Sequence, residues 1–415
     1  MTIESSNASV ETERELARCV RVDTVLPHPN ADKLELATIG GWQVCVKLGE
    51  FRAGDLALYC EIDSLLPVSR PEFAFLESRK ESLKLVGEQV YSRVRTIRLR
   101  KELSQGLLVP LPTAMQVNEG DDLTEVLGVL KYESKESMVA TYVEPPTRFA
   151  RFCDWVAGDA VTKLQLPWPA YLSKSKEDRV QNVSGRYRQA VETDEEFEAS
   201  YKLDGTSLTV WSKPELYDSY GVASRNNELS TVDINWTFGQ QLRQWLAGLL
   251  MSNRRFYKTG AFVFPKWRTG ILASENDYVA AVQDLGIDKT LDSFYHSNGV
   301  HLALQGELCG PGIGKNFEGL KTRAFYVYRV FQFLDGKFQA MRPEEARRLV
   351  VEQLGLHYIP VLRVGKLPPT VKECLAEADG NSAFYGRCRE GLVYKSLSTD
   401  FTFKAVSNSY LLKEE

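Results

Sequence analysis

The chain has 415 residues, of which 51 are Lys or Arg and 55 are Asp or Glu, so its formal charge is −4. Hydrophobic residues make up 43% of the sequence, which is ample for buried cores and excludes a wholly disordered chain. The mild acidity also excludes a generally basic nucleic-acid coat protein, so any polyanion site must be a local positive patch. Length alone indicates about two to three domains.

The cysteines and the N-terminus indicate a soluble intracellular protein of the cytoplasm. Seven cysteines are scattered along the chain without a C-x-x-C pair, which favours reduced thiols and argues against a zinc site. Residues 1–14 are polar and predict a flexible tail rather than a signal peptide. Since no apolar run approaches the ~20 residues of a membrane span, no membrane partner is expected.

Residues 15–130 predict a small antiparallel β-barrel of the OB type. Short β-rich runs such as CVRVDTVLP and DLALYCEIDSLLP alternate with turn signals, and helical periodicity is almost absent. Gly40 and Gly41 together form a hairpin signal, and PHPN marks a further turn. Four to six short strands in about 100 residues are typical of such a barrel.

Residues 131–170 predict a connector, and residues 171–415 predict a second domain of mixed strands and helices. Apolar residues at helical spacing predict helices over 239–257, 281–299 and 343–356. The predicted fold class of the whole chain is therefore α+β.

The most informative string is YKLDGTS, in which a strand runs into a glycine turn. Lys202 and Asp204 are two residues apart and would face one cleft, while Gly205 would let a ligand approach closely. A neutral lysine amine is a nucleophile, and cationic neighbours or a metal ion can favour that form. By itself the pattern is also typical of a surface turn, because K-x-D-G arises by chance in about one such chain in ten.

An ordered series of polar residues follows this string. Arg225 lies in SRN and could offer a guanidinium to a phosphate, and Glu307 lies in GEL before a Gly/Pro-rich loop. An aromatic strand, FYVY, could stack a base. Glu390 opens the string REGLVYK, which ends in Lys395, and Lys404 closes the alternating string FTFK.

The order KLDG, SRN, GEL, aromatic strand, REGLVYK, FTFK resembles motifs I, Ia, III, IIIa, IV and V of the covalent nucleotidyltransferases. That group contains ATP-dependent DNA ligases, RNA ligases and capping guanylyltransferases. The resemblance covers residues 171–415 and implies a domain of antiparallel sheets plus helices with an ATP-grasp-like ligase fold. An OB barrel ahead of the lysine, rather than after motif V, is similar to the RNA ligase 5 family of the Deinococcus and Naegleria type.

This resemblance implies an ATP-dependent RNA ligase that joins 3′-OH and 5′-phosphate ends through lysyl-AMP and RNA-adenylate intermediates, with Mg²⁺ or Mn²⁺. Lys202 would be the nucleophile that bonds to AMP. Lys404 and Lys395 would neutralise phosphate charge in the transition state. Asp204 and Glu390 would hold the water shell of the divalent metal ion.

The resemblance also implies a set of nucleotide contacts. Glu307 would bind the ribose, and Tyr328, or otherwise Phe325, would stack on the adenine. Arg225 would contact the nucleotide or the RNA end. Weaker candidates for nucleotide contacts are Arg179 and Gln181.

Three features depart from the motif pattern. Arg329 follows Tyr328, where some RNA ligases have an acidic residue. Thr402 stands in place of the first of two alternating motif V lysines, with Lys395 as the possible compensation. Residues 232–300 form a long interval that predicts an insertion atypical of the family.

A basic segment of the predicted barrel is a candidate RNA-binding surface, given the resemblance to RNA ligases. It contains five positive residues and no acid. Alternation along a strand would place Arg93 and Arg95 on one face, and likewise Arg98 and Arg100. An RNA-backbone track is favoured over an ordinary solvated strand. The five residues are Arg93, Arg95, Arg98, Arg100 and Lys101.

We therefore expect a monomeric enzyme of RNA repair that seals nicked or broken duplexes with an RNA 3′-OH strand. A DNA ligase or a capping-type enzyme is the alternative within the same class. A non-catalytic RNA-binding protein with an inactive transferase domain is the alternative from another class, although the intact lysine and carboxylates argue against it.

Overall fold

The structure is a computed structural model that divides into two compact units, Met1–Thr141 and Tyr142–Lys413. The predicted tail and most of the predicted connector lie outside the described residues. The described residues are 15–112, 115–132, 165–175, 177–214, 219–235, 238–239, 241–242, 245, 270–384 and 387–413.

The N-terminal unit consists mainly of short antiparallel strands. Their bounds are β1 Ala17–Arg21, β2 Thr24–Pro27, β3 Leu34–Ile39, β4 Trp42–Lys47, β5 Leu56–Cys60, β6 Ser64–Pro67, β7 Leu83–Val86, β8 Gln89–Arg93, β9 Thr96–Leu99, β10 Glu102–Gln105, β11 Leu107–Pro110 and β12 Leu130–Lys131. The sheets have the strand orders β1-β5-β11, β2-β3-β4, β12-β6-β8-β7 and β10-β9. Two 3₁₀ turns, Ala74–Ser78 and Lys80–Ser82, precede β7.

The hairpin between β3 and β4 forms where the sequence predicts it. Ile39 pairs with Trp42, which leaves Gly40 and Gly41 as a two-residue loop with φ of 53° and 90°. Two consecutive positive φ angles match the twist of a tight hairpin, and glycine adopts them without strain. Along β4, Trp42 and Val44 are buried in an apolar cluster, as the alternating pattern predicts.

The basic segment does not place each arginine pair on one strand face, as the sequence predicts. Arg93 ends β8, and Arg98 lies in β9. Arg100 and Lys101 occupy the turn between β9 and β10, with φ of 49° and 77°. The expectation that Arg98 and Arg100 share one strand face is therefore wrong, because β9 ends at Leu99.

The second unit contains two larger sheets. The first sheet has the order β13-β18-β17-β16-β21-β22-β23 with β24 beside β22, the second has the order β14-β27-β26-β15-β25, and β19 pairs with β20. The strands are β13 Gln165–Pro167, β14 Asp178–Arg179, β15 Glu196–Lys202, β16 Thr206–Ser212, β17 Tyr220–Ala223, β18 Asn227–Leu229, β19 Ile234–Asn235, β20 Gly270–Ile271, β21 Leu302–Cys309, β22 Ala324–Leu334, β23 Lys337–Ala340, β24 His357–Tyr358, β25 Val361–Lys366, β26 Gly391–Ser396 and β27 Thr402–Val406.

Helices and short helical turns complete this unit. The α-helices are α1 Ser184–Glu192, α2 Asp277–Asp284, α3 Ile287–Asn298, α4 Pro343–Arg348, α5 Val371–Ala378 and α6 Asn408–Lys413. The 3₁₀ turns are Val180–Val183 and Ala273–Glu275, and a π-helical turn spans Leu349–Gln353. Within the described ranges, no helix combines the length and the apolarity that crossing a membrane requires.

The predicted helices meet different outcomes. The helix over 343–356 is confirmed over Pro343–Gln353, as α4 and the π-helical turn that continues it, and it ends three residues earlier than predicted. The single helix over 281–299 is wrong, because the chain breaks into α2 and α3 at Gly286, where φ is +67°. The helix over 239–257 lies mainly outside the described residues.

Two boundaries and one interval differ from the sequence expectations. Lys131 belongs to β12 in the N-terminal unit, and Gln165 begins β13 in the first sheet, so the ends of the predicted connector are strands. Helices α2 and α3 bury Val282 and Leu291 in the core of the first sheet. The described part of the interval 232–300 is therefore integral to the unit.

Alternation in the second sheet separates a packed face from a polar face. Phe197 and Ala199 of β15 pack in the same apolar cluster as Phe403 of β27. Side chains at intervening positions point to the opposite face, which includes Lys202 and Lys404. The candidate site lies on this polar face.

Candidate active site

Lys202 ends β15 and faces the carboxylate of Glu390, which directly precedes the neighbouring strand β26. Its backbone pairs with Gly391, so Glu390 lies beside it, and the Lys202 amine donates to Glu390 in an ion pair. At Gly391, φ is +153° and a Cβ atom would clash with the backbone oxygen of Ala405. Only glycine therefore allows this close strand approach next to the ion pair.

Asp204 follows Lys202 in the turn between β15 and β16. Its Oδ2 accepts a hydrogen bond of 3.0 Å from the Tyr410 hydroxyl, and its backbone N–H donates to Glu318 at 3.3 Å. Gly205 has no room for a side chain, since a Cβ atom would lie 2.5 Å from the Leu308 carbonyl oxygen. The KLDG turn is thus packed tightly in place, which a solvated surface turn would not be.

Glu307 lies on β21 opposite Ser207 of β16. Burial raises the pKa of Glu307 to about 7; the Lys202 amine opposes this shift, and Glu390 and Asp204 add to it. Burial also raises the pKa of Glu390, again against the opposing effect of Lys202. Three carboxylates from separate motifs therefore surround one amine.

Positive charge also gathers near Lys202. Lys404 lies beside Arg179 through the parallel pairing of β14 with β27. Burial lowers the pKa of Lys404 to about 8, and Lys202, Arg179 and Arg225 contribute in the same direction. Arg225 is exposed at the turn between β17 and β18. Such mutually repelling cations are stabilised by a bound polyanion such as a phosphate chain.

The two aromatic candidates on β22 lie in different surroundings. Tyr328 occupies a β-bulge, and its hydroxyl is 3.1 Å from Ser175 Oγ and 3.3 Å from Ser207 Oγ. Burial and the nearby Glu307 raise the pKa of Tyr328 to about 12. Phe325 is buried in the core of the first sheet, so the structure does not bring it to the site.

Two other predicted contact residues, Lys395 and Gln181, are buried. Lys395 donates to the Tyr328 carbonyl oxygen at 2.6 Å and lies 3.5 Å from Glu198, and burial lowers its pKa. The expectation that Lys395 faces a phosphate is therefore wrong in this structure; it supports the bulge at Tyr328. Gln181 lies buried in the turn Val180–Val183.

Two of the departures from the motif pattern, Arg329 and Thr402, lie side by side. The Arg329 guanidinium approaches Thr402 Oγ1 at 3.5 Å and Glu177 at 3.8 Å. The cation at Arg329 therefore stands next to the position where the motif pattern has a lysine. It is a better compensation for Thr402 than the buried Lys395.

Sequence reasoning missed several residues that orient the site. Glu318 is 2% exposed and contacts the Asp204 backbone, and Tyr410 contacts the Asp204 side chain. Glu198, which is fully buried, supports Lys395. The one available signal is the position of Tyr410 in the string FKAVSNSYLLK, residues 403–413, which continues directly from motif V.

A divalent metal ion fits the carboxylates only with the help of water and substrate. In the described part of the chain, no three His, Cys, Asp or Glu side chains form a cluster that could hold a metal ion. Mg²⁺ commonly keeps several waters and uses one or two carboxylates plus phosphate oxygens. Asp204 and Glu390, whose charges interact next to the ion pair with Lys202, match that requirement.

The fold and the site together define a nucleotidyltransferase of the ligase type, with a β-barrel unit preceding a two-sheet unit that carries a lysine among carboxylates. A model of RNA ligases matches residues 195–406, and a model of an OB-fold domain matches residues 16–111. The first match spans just over half of the chain. The chain therefore belongs to the RNA ligase family, and the predicted enzyme class and OB barrel are confirmed.

Solved structures of Naegleria gruberi RNA ligase are similar over nearly the whole chain. The structure with PPi has a TM-score of 0.61 and 29% identity, and the match covers 97% of this chain and 99% of that one. The structure of an arginine-to-alanine variant with ATP and Mn has a TM-score of 0.64 and 28% identity, and the match covers 97% of this chain and 99% of that one. The structure of a glutamate-to-alanine variant with AMP and Mn has a TM-score of 0.63 and 29% identity, with the same coverage of 97% and 99%. No curated protein matches the chain.

Proposed function

We propose that this RNA ligase uses ATP to join a 3′-OH to a 5′-phosphate, with AMP carried covalently on Lys202. The observation that carries the proposal is the Lys202 amine held beside Glu390, with Asp204 and Glu307 around it and Lys404 close by. The similar Naegleria gruberi structures with ATP, AMP, PPi and Mn support the same substrates here.

The chemistry consists of three displacements at phosphorus. The neutral Lys202 amine attacks the α-phosphorus of ATP, a P–N bond forms, the bond to pyrophosphate breaks, and the amine loses a proton. A 5′-phosphate oxygen of RNA then attacks the same phosphorus and releases the lysine. Finally the 3′-OH attacks the 5′-phosphate and AMP leaves. In each step, positioning and charge neutralisation contribute more than a general base.

The remaining residues serve binding and orientation in this proposal. Asp204 and Glu390 would hold a divalent ion through its waters, and the ion would supply charge neutralisation at the α-phosphate. Glu307 binds the ribose, and Tyr328 stacks on the adenine. Lys404 and Arg179 bind phosphate oxygens, and Arg225, at its exposed turn, meets the triphosphate or the RNA end.

RNA is the partner that family membership implies, and the preferred RNA is part of the proposal. We propose nicked or broken duplexes with an RNA 3′-OH strand, acted on by a monomer. The exposed cations of the N-terminal unit, Arg95, Arg98, Arg100 and Lys101, contribute backbone contacts. Arg93 contributes less, because it is engaged with Asp63 at 2.6 Å and lies 3.5 Å from the Tyr132 ring centroid.

Covalent labelling tests the proposal. Incubation with α-³²P-ATP and Mg²⁺ or Mn²⁺ is expected to leave label on the wild-type protein and none on Lys202→Ala. Lys289→Ala, which removes an exposed lysine of α3, is the matched control and should label normally. Normal labelling of Lys202→Ala would remove the nucleophile from the proposal.

Sealing assays separate the alternatives that share this fold. A panel of nicked duplexes with ribose or deoxyribose at the 3′-OH end distinguishes an RNA ligase from a DNA ligase. Labelling by GTP in preference to ATP would indicate a capping-type enzyme. RNA binding without any covalent label would indicate an inactive transferase domain.

A further inference from the structure

Helix α6 places a tyrosine hydroxyl on a catalytic carboxylate. The Tyr410 hydroxyl donates to Asp204 Oδ2 at 3.0 Å across 206 residues of sequence. The Tyr410 side chain is buried, and its ring packs edge-on against Phe317 with centroids 5.1 Å apart. The ring has little freedom to move, so the hydroxyl has a defined position.

Ser407, directly before the same helix, contacts the backbone of Glu390. The backbone N–H of Ser407 donates to the Glu390 carbonyl oxygen at 2.9 Å. Ser407 Oγ donates to Asp379 Oδ1 at 2.6 Å and accepts from the Tyr410 N–H at 3.1 Å. Asp379 also accepts from the Ser409 N–H at 3.0 Å. The first turn of α6 is therefore tied to the chain segment that carries Glu390.

A second contact holds the backbone of Asp204. Its N–H donates to Glu318 Oε1 at 3.3 Å, and Glu318 Oε2 accepts from the Ser382 hydroxyl at 2.6 Å. Asp204 is thus held at its main chain by Glu318 and at its side chain by Tyr410. The phenol contacts one carboxylate oxygen of Asp204, Oδ2.

We infer that α6 is a positioning brace that sets the spacing of Asp204 and Glu390 before a divalent ion arrives. Asp204, Glu390 and Glu307 repel one another, and the Lys202 amine attracts all three. Without the phenol, the Asp204 carboxylate can rotate, and its geometry toward metal-bound water is lost. Groups that orient metal ligands in this way typically contribute about 10- to 100-fold in metal affinity. The inference rests on the proposed function, which makes these carboxylates the metal's anchors.

Tyr410→Phe tests the brace because it removes one hydroxyl and keeps the ring. We expect the Mn²⁺ concentration for half-maximal adenylylation to rise about tenfold. Direct Mn²⁺ binding, measured by electron paramagnetic resonance with a non-hydrolysable ATP analogue, should weaken by a similar factor. Tyr187→Phe is the matched control: Tyr187 is also buried and its hydroxyl donates to the Pro368 carbonyl oxygen at 2.7 Å, within the packed face of the second sheet. It should leave Mn²⁺ binding unchanged.

A double-mutant cycle distinguishes failure of the brace from failure of the proposed function. If Tyr410 acts through Asp204, then Tyr410→Phe weakens Mn²⁺ binding in the wild-type background and has no further effect in Asp204→Asn. Equal effects in both backgrounds, or lower thermal stability with unchanged Mn²⁺ binding, overturn the brace. Unchanged Mn²⁺ binding in Asp204→Asn itself overturns the metal assignment of the proposed function.

If Tyr410→Phe does not fold, Ser407→Ala takes its place. This variant loosens the start of α6 by removing the Oγ contacts with Asp379 and the Tyr410 N–H. We expect a shift of Mn²⁺ dependence in the same direction, about threefold. A folded Ser407→Ala with wild-type Mn²⁺ binding would contradict the brace.

Discussion

The two units use charge in different ways. In the second unit, Lys202, Glu307, Glu390 and Lys404 are close together and at least partly shielded from water, and several of their pKa values are shifted. In the N-terminal unit, residues such as Arg100 are exposed, at turns and strand ends. A covalent site is therefore recognisable from geometry, whereas a surface for a polyanion acts through the sum of screened contacts.

The largest effect should come from the shielded charges of the second unit. Glu390→Gln keeps the shape of the side chain but removes the charge beside Lys202, so we expect the adenylylation rate to fall about 100-fold or more. The fold should persist, because burial disfavours the charged form of Glu390 and raises its pKa. Single-turnover labelling and thermal melting measure the two quantities separately.

A second carboxylate of this unit provides the control. Glu377 binds the Arg363 guanidinium through both oxygens and accepts from the Tyr394 hydroxyl at 2.7 Å, away from the reacting atoms. Glu377→Gln should lower the free energy of unfolding by about 2 kcal/mol and leave the labelling rate of the folded protein nearly unchanged. The reverse pattern, a stable Glu377→Gln with slow labelling and an active Glu390→Gln, would contradict the comparison.

A smaller effect is expected where Arg329 stands next to Thr402. Arg329→Ala removes the cation that lies 3.5 Å from Thr402, so adenylylation should slow about tenfold. Thr402→Lys, added to Arg329→Ala, restores a cation from the adjacent strand and should recover most of that rate. Failure of the added lysine to rescue a folded protein would show that Arg329 acts through its ion pair with Glu177 rather than on the phosphates.

The titration of Lys404 predicts a pH dependence. Because its pKa is lowered to about 8, free enzyme loses this charge between pH 7 and 9, and ATP affinity should fall about fivefold over that range. The stability changes in the opposite direction. In the folded state Lys404 loses its proton near pH 8, whereas in the unfolded chain it keeps the proton up to its ordinary pKa. The free energy of unfolding therefore rises from about pH 8 to about pH 10.

Lys404→Arg separates this charge from other groups that titrate nearby. Arginine remains protonated throughout the range, so the ATP affinity of this variant should not fall as the pH rises. Isothermal titration calorimetry in two buffers of different ionisation enthalpy also measures proton uptake on ATP binding, expected for Lys404 and absent for Lys404→Arg. An equal alkaline fall in both proteins would assign the pH dependence to another group.

The smallest individual effects should lie in the N-terminal unit. Arg98→Ala, Arg100→Ala and Lys101→Ala should each weaken RNA binding about threefold and reduce the slope of log affinity against log salt by about 1. Labelling of Lys202 by ATP should remain unchanged in all three. An unchanged slope of log affinity against log salt would indicate that these residues form an ordinary solvated turn without RNA contacts.

The sequence predicts most of this molecule where the signals are local. Glycine pairs predict the hairpin at Gly40, and alternation predicts which face of β27 carries Lys404. The string FYVY does not distinguish Phe325 from Tyr328, because the β-bulge at Tyr328 interrupts the alternation of β22. The break at Gly286 was harder to foresee, since a single glycine is tolerated in many helices.

Contacts between distant residues were beyond sequence reasoning. Tyr410 and Asp204 are 206 residues apart, and Glu318 and Asp204 are 114 apart, with no local pattern that links them. Lys395 has the charge of a phosphate ligand, and only its burial between Glu198 and the Tyr328 carbonyl oxygen reveals a structural role. Charge and spacing identify candidates, and burial decides among them.

The wide separation of the site residues has a consequence during synthesis. Lys202 and Glu390 are 188 residues apart, so a nascent chain that has emerged only through β21 contains the nucleophile without its partners from β26, β27 and α6. Contacts of such long range form late and slowly. An incomplete chain on the ribosome would therefore be unable to trap AMP, and reactivity would appear only once the last strand had been translated and docked.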